Sequence, residues 1–127
     1  MLRRTLAPIV AIVAALLPIA LPSVAGQPAR FVALEPAVGG LTTVFTVTGT
    51  GFLPGEAAIH HFTAPDGTAI PPGEASLVVQ LADEQGVFQF QFVPLQEFPA
   101  PVPGAWKLTV CLTDRRTCAT LDFTITG

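Results

Sequence analysis

The chain has 127 residues, half of them hydrophobic and only 12% charged, with 13 prolines, 11 glycines and two cysteines, a length that suits one domain. Six Lys and Arg against nine Asp and Glu give a net charge of −3 without a basic run, which argues against a nucleic-acid partner. A chain this apolar can bury a core, which argues against disorder, so the prolines and glycines read as punctuation between short strands.

The N-terminus carries an export pattern. Arg3 and Arg4 form a positive start, Leu6 to Leu21 is an apolar run, and Ser23-Val24-Ala25 places small residues at −3 and −1 of a cleavage site before Gly26. This predicts a signal peptide over residues 1–25, a helix ahead of the folded domain, and a mature domain over 26–127 that is secreted, periplasmic or bound in the cell envelope. The competing reading is a membrane anchor. A bilayer core needs about 20 apolar residues, and Pro8 and Pro18 would disturb a spanning helix, so no membrane span is expected in the mature form. Four basic against nine acidic residues leave that form at −5.

Period-two alternation then sets out strands. Phe31–Glu35 and Thr42–Thr48 come first, the second with Phe45 and Val47 on one face and Thr46 and Thr48 on the other; Gly49-Thr50-Gly51 breaks it. Ala57–Ala64 follows and Pro65-Asp66-Gly67 turns the chain. Ser76–Ala82 and Val87–Val93 read as a hairpin around Asp83-Glu84-Gln85-Gly86. Its expected register pairs Leu81 with Phe88, Val79 with Phe90 and Leu77 with Phe92, Gln80 facing Gln89, with Phe90 fully buried. Pro71-Pro72-Gly73 and the segment from Pro94 to Gly104 read as longer connections, and no helix is expected in the domain.

The last hairpin has a register that three features choose independently. Pairing Cys111 with Cys118 sets Thr109 opposite Thr120 and Lys107 opposite Asp122 on the outer face, and Trp106 opposite Phe123 with Leu108 opposite Leu121 on the inner face. Leu112 and Thr117 then close the loop as a hydrogen-bonded pair, which makes the cysteines a non-hydrogen-bonded pair with close Cα atoms, a spacing that suits a disulfide. Two thiols near each other in an exported chain point the same way. Six or seven short strands with frequent turns describe an all-β, antiparallel two-sheet sandwich.

The run Gly49-Thr50-Gly51-Phe52-Leu53-Pro54-Gly55-Glu56, then Pro65-Asp66-Gly67, Ala82-Asp83 with Gly86 and Phe88, and Pro103-Gly104-Ala105-Trp106 with Leu108, is similar to bacterial secreted immunoglobulin-like sandwich modules. The resemblance covers nearly all of residues 28–127. It implies an immunoglobulin-like sandwich of about seven strands and a structural or binding role in the envelope, since its motifs are turn and core residues.

Chemically active constellations are few. His60-His61 offers imidazoles to a metal, but neighbours on a strand point to opposite faces and do not readily share one ion. A bridged cysteine pair supplies no thiolate, and Met1 is the only methionine. Ser76 lacks a Gly-x-Ser-x-Gly context and no catalytic carboxylate pair stands out, so no enzymatic activity and no cofactor are expected. Sugar platforms need an exposed Trp or Tyr; the chain has no Tyr and Trp106 alternates with the core set, which disfavours carbohydrate. Arg115 and Arg116 at a hairpin tip, and Phe98 in the Pro-rich loop, are the candidate partner contacts; Phe98 has the alternative role of plugging the end of the sandwich. The expectation is a non-catalytic extracytoplasmic structural or protein-binding module whose partner is a protein or envelope component, the alternative being a small extracytoplasmic metal-binding protein using His60 or His61.

Overall fold

The computed structural model describes residues 18–21, 29–70 and 78–127. Among the described residues, ten strands run in chain order with one short helix: β1 (Ile19–Leu21), β2 (Arg30–Glu35), β3 (Val38–Gly39), β4 (Phe45–Thr50), β5 (Ala57–Thr63), β6 (Ala69–Ile70), β7 (Val78–Leu81), β8 (Phe88–Phe92), α1 (Pro94–Glu97), β9 (Gly104–Leu112) and β10 (Cys118–Ile125). They form an all-β sandwich of two sheets, one in the order β1-β2-β4-β8, the other in the order β3-β10-β9-β5-β6 with β7 also paired to β5.

Alternation drives the packing. Val32 and Leu34 of β2, Phe45 and Val47 of β4, and Phe88 and Phe92 of β8 point inward from the smaller sheet. Ala58 and Phe62 of β5, Trp106, Leu108 and Val110 of β9, and Leu121, Phe123 and Ile125 of β10 meet them from the larger one. Phe45 stacks on Phe92 with centroids 5.1 Å apart, and Phe62 meets Phe92 edge-on at 4.8 Å, arrangements that aromatic quadrupoles favour. The buried indole N–H of Trp106 donates to the Val102 carbonyl at 2.9 Å, so the largest core side chain leaves no unmet donor.

The β9–β10 hairpin has the expected register throughout, from Cys118 opposite Cys111 to Phe123 opposite Trp106. The Leu112 amide donates to the Thr117 carbonyl at 2.9 Å, closing the loop as expected. Lys107 Nζ lies 2.7 Å from Asp122 Oδ1, and the Thr109 and Thr120 hydroxyls are 3.3 Å apart.

The other expected hairpin does not form. β7 pairs with β5, Val79 opposite Ile59 and Leu81 opposite Ala57, while β8 pairs with β4. The segment Asp83–Gly86 therefore carries the chain from one sheet to the other. The reason is a better partner: β4 sets Phe45 opposite Phe92 and Val47 opposite Phe90, and sets Thr46 and Thr48 opposite Gln91 and Gln89. The glutamine amides donate to those threonine hydroxyls at 3.2 and 3.1 Å. Gly49 completes the fit, because a Cβ there would overlap the Phe88 ring. Val79 and Leu81 consequently face outward, and Phe90, on the edge strand, is half-buried rather than fully buried.

Four smaller elements were not expected: β1, β3, β6 and the single turn α1, which starts at Pro94 within the Pro-rich connection. Pro at the first helical position costs no hydrogen bond. Of the expected leader, residues 1–17 and 22–25 lie outside the described residues; the remainder contains strand β1, so the sandwich takes in three residues on the leader side of the expected boundary. Likewise Pro71 to Leu77, with the expected Leu77–Phe92 pairing, lie outside them, though Phe92 itself pairs with Phe45.

Candidate interaction surface

The outer face of the larger sheet divides into two halves. One is polar: Lys107 with Asp122, Thr109 with Thr120, His61 opposite Thr109 and Thr63 opposite Lys107. The other is apolar. Cys118, Cys111, Ile59 and Val79 lie directly opposite one another on β10, β9, β5 and β7, forming one row across four strands, with Leu81 opposite Ala57 beside it.

The disulfide sits in this row. Cys111 and Cys118 are bonded with Cα atoms 4.0 Å apart, and among the described residues no cysteine is free. Ile59 and Cys111 are buried on this face, whereas Val79 and Leu81 are 54% and 65% exposed. Both exposed side chains stand on β7, whose pairing to β5 is its one ladder in the described sheet. Apolar side chains on a sheet edge are the arrangement that recruits another chain.

The β9–β10 tip lies at the same end. Asp114 orders it: its Oδ1 accepts the amides of Arg116 at 2.9 Å and Thr117 at 3.0 Å, and its Oδ2 accepts the Thr117 hydroxyl at 2.9 Å. Those hydrogen bonds hold the Asp114 carboxyl below the usual range. Arg115 takes a left-handed backbone at φ 61°, and both arginines are exposed. Arg115, Arg116 and the disulfide are thus brought together, and Phe98 is not. Phe98 is buried near the other end of β9, stacked on Trp106 at 4.4 Å, so it plugs the sandwich and offers no surface contact.

His60 and His61 point to opposite faces, as strand geometry requires. His61 is half-buried on the outer face. His60 is 5% exposed, packed under the Phe90 ring at 4.3 Å, and its Nδ1 has no hydrogen-bond partner. Burial, with a smaller push from the His61 charge, lowers its pKa to about 4, so it is neutral at pH 7. A recess of about 150 Å³ beside it is lined by Gln80, Phe90, Gln91 and Glu97 among others. Among the described residues no three His, Cys, Asp or Glu side chains gather as a metal site.

Sequence reading misses Val79 and Leu81 as surface residues, and Ile59 as the buried member of their row. It placed Val79 and Leu81 inside by pairing them with the phenylalanines of β8, and the row becomes visible only once β5 lies between β7 and β9, a non-local fact. Missed too was the ion pair of Arg30 and Glu56, whose Nε–Oε1 and Nη2–Oε2 distances are both 2.9 Å. Glu56 Oε1 also accepts the Leu53 amide at 3.0 Å, so the pair ties β2 to the loop before β5.

The fold and the surface stand without a family assignment: no protein-family model matches the chain, and no curated protein is significantly similar to it.

Proposed function

We propose that this chain is a non-catalytic, extracytoplasmic, immunoglobulin-like module that binds a protein partner through the apolar half of its larger sheet. The observation that carries this reading is the row Cys118–Cys111–Ile59–Val79, which ends in exposed valine and leucine on the edge strand β7. The disulfide supports an oxidising, extracytoplasmic location, and among the described residues no helix is long and apolar enough to cross a membrane. Arg115 and Arg116 beside the row favour a partner with an acidic rim.

The test is capture from envelope extract with the immobilised exported protein. A discrete protein retained by the natural chain, at least tenfold depleted with Leu81→Lys and undiminished with Gln89→Ala on the opposite sheet, is the expected result. Equal retention by all three, or none, removes the reading.

The unpartnered Nδ1 of His60, with Glu97 lining the same recess, favours one second reading, a small metal-binding protein. Titrating the protein with copper and zinc while following the two imidazoles by NMR decides it. Unmoved His60 and His61 resonances discard the metal.

A further inference from the structure

We infer that the outer edge of β2 is a strand-acceptor site: residues 19–21 close it in the unprocessed chain, and cleavage after Ala25 opens it to an extended apolar segment supplied by another chain. The inference rests on the leader read from the sequence and is independent of the β7 surface.

The seat is defined by what occupies it. β1 pairs antiparallel with β2, Ile19 opposite Val32, Ala20 opposite Phe31 and Leu21 opposite Arg30. Leu21 is 3% exposed and belongs to the same core cluster as Val32 and Val47, and β1 also reaches β10 of the facing sheet. The occupant's chemistry follows from this register. An aliphatic side chain of leucine size faces inward opposite Arg30, whose guanidinium is already engaged by Glu56. A small residue lies opposite the exposed Phe31, and a second aliphatic lies opposite Val32.

Cleavage after Ala25 removes all three residues together. Only Gly26 to Ala29 would then precede β2, too few for a reversing turn and a three-residue strand, so the chain cannot refill its own edge from that side. The β2 sequence Arg-Phe-Val-Ala-Leu-Glu has its charges only at its two ends, and the stretch Phe31 to Leu34 between them carries no charge and no proline to blunt an exposed edge. An unpaired edge next to an emptied leucine seat is suited to strand addition, in which main-chain hydrogen bonds give affinity and alternate side-chain seats give specificity.

The experiment compares the exported chain with an Ala25→Arg variant that resists processing, each checked by mass. Amide hydrogen exchange at the β2 positions whose N–H points toward β1, not at those bonded to β4, is the readout, and the probe is a synthetic peptide of residues 17–25. These β2 amides should exchange at least tenfold faster in the processed chain than in Ala25→Arg. Adding the peptide should restore slow exchange to the processed chain, while the same peptide carrying Leu21→Asp should not. The peptide arm decides on its own should the unprocessed variant fail to fold. A processed chain whose β2 amides are already slow without peptide overturns the proposal, as does a peptide that leaves them fast. A mature chain found by mass to keep residues 19–21 also overturns it, because the edge then never opens.

Discussion

The loops Asp83–Gly86 and Thr113–Arg116 are built alike and do different things. Each has four residues and an aspartate whose Oδ1 accepts two backbone amides ahead of it: Gln85 and Val87 for Asp83, Arg116 and Thr117 for Asp114. Each has a left-handed residue, Gly86 at φ 78° and Arg115 at φ 61°. Yet Thr113–Arg116 returns β10 along β9, while Asp83–Gly86 takes the chain across to the other sheet. The difference lies in what holds the flanks. The first loop is closed by its own Leu112–Thr117 bond. The second closes on itself too, the Asp83 amide donating to the Val87 carbonyl at 2.8 Å, but it is also fastened to a distant segment, with the Ala82 amide donating to the Glu56 carbonyl at 2.9 Å and the Phe52 amide to the Gly86 carbonyl at 3.1 Å. Local turn chemistry decides that the chain reverses; contacts from elsewhere decide which sheet receives it. Gly86 shows how tight that fastening is, since a Cβ there would overlap the Phe52 carbonyl oxygen.

The largest effects should therefore come from the crossing region. Phe92→Ala removes a buried ring packed on Phe45 and Phe62 and should cost about 4 kcal/mol. Phe90→Ala, at a half-buried edge position, should cost less than half as much. Equal losses in denaturant melts would mean that β8 lies inside a hairpin with β7 after all. Glu56→Gln should cost about 3 kcal/mol, because it breaks a buried ion pair that joins the Arg30 guanidinium to both carboxylate oxygens of Glu56. The loss should be larger than that for any single change at the β9–β10 tip, as the same melts would show.

Acid offers a further separation of the two regions. His60 lies beside β8, and its pKa is about 4 when folded against 6.5 for a free histidine. Between those values the unfolded chain binds a proton that the folded chain refuses. Stability contributed by neutral His60 is therefore whole above pH 6.5 and declines as the pH falls toward 4, by up to about 3 kcal/mol. His60→Phe should flatten that part of the stability curve. A curve unchanged by the substitution would place the acid sensitivity elsewhere.

How much of this was legible in the sequence follows from the same contrast. The β9–β10 hairpin could be read residue by residue because its restraints are local: opposite charges, opposite ring sizes and two cysteines all agree within twenty residues. The face assignment of Phe88 and Phe92 was legible for the same reason, as was the opposition of His60 and His61. The partner of β8 is not, because β4 and β7 both offer it alternating apolar residues and β7 is the nearer in sequence. The same ambiguity turns Val79 and Leu81 inward on paper and hides the apolar half of the candidate surface. Phe98 illustrates a different limit: its burial depends on Trp106, and nothing in a Pro-rich loop says which way a ring turns. The Arg30–Glu56 pair joins residues 26 apart and carries no local signature at all.

On the hairpin side the expected effects are smaller. Replacing Cys111 and Cys118 together by alanine should lower stability by about 2.5 kcal/mol, the value for freeing so short a loop in the unfolded chain. The register should survive, because Trp106 opposite Phe123 and Leu108 opposite Leu121 impose it without the bridge. NMR contacts between β9 and β10 in the double variant would check this, and a shifted ladder would make the disulfide the source of the register.

The smallest effect should come from the most visible contact on the molecule. Lys107 and Asp122 approach to 2.7 Å, yet their side chains are 56% and 79% exposed. Water and salt screen such a pair, and two side chains lose freedom to form it, so exposed pairs of this kind contribute about 0.5 kcal/mol or less. A double-mutant cycle with Lys107→Ala and Asp122→Ala should return a coupling of that size, and 1 M salt should erase it. In the disulfide-free background the outcome sharpens the comparison between the loops. If the hairpin is held by its buried rings, the coupling stays as small there as in the natural chain, since the alignment that creates it is fixed by Trp106 and Phe123. A coupling that vanishes there would mean that the bridge positions the charges, and that the hairpin, like the crossing at Asp83–Gly86, takes its geometry from a constraint outside the turn.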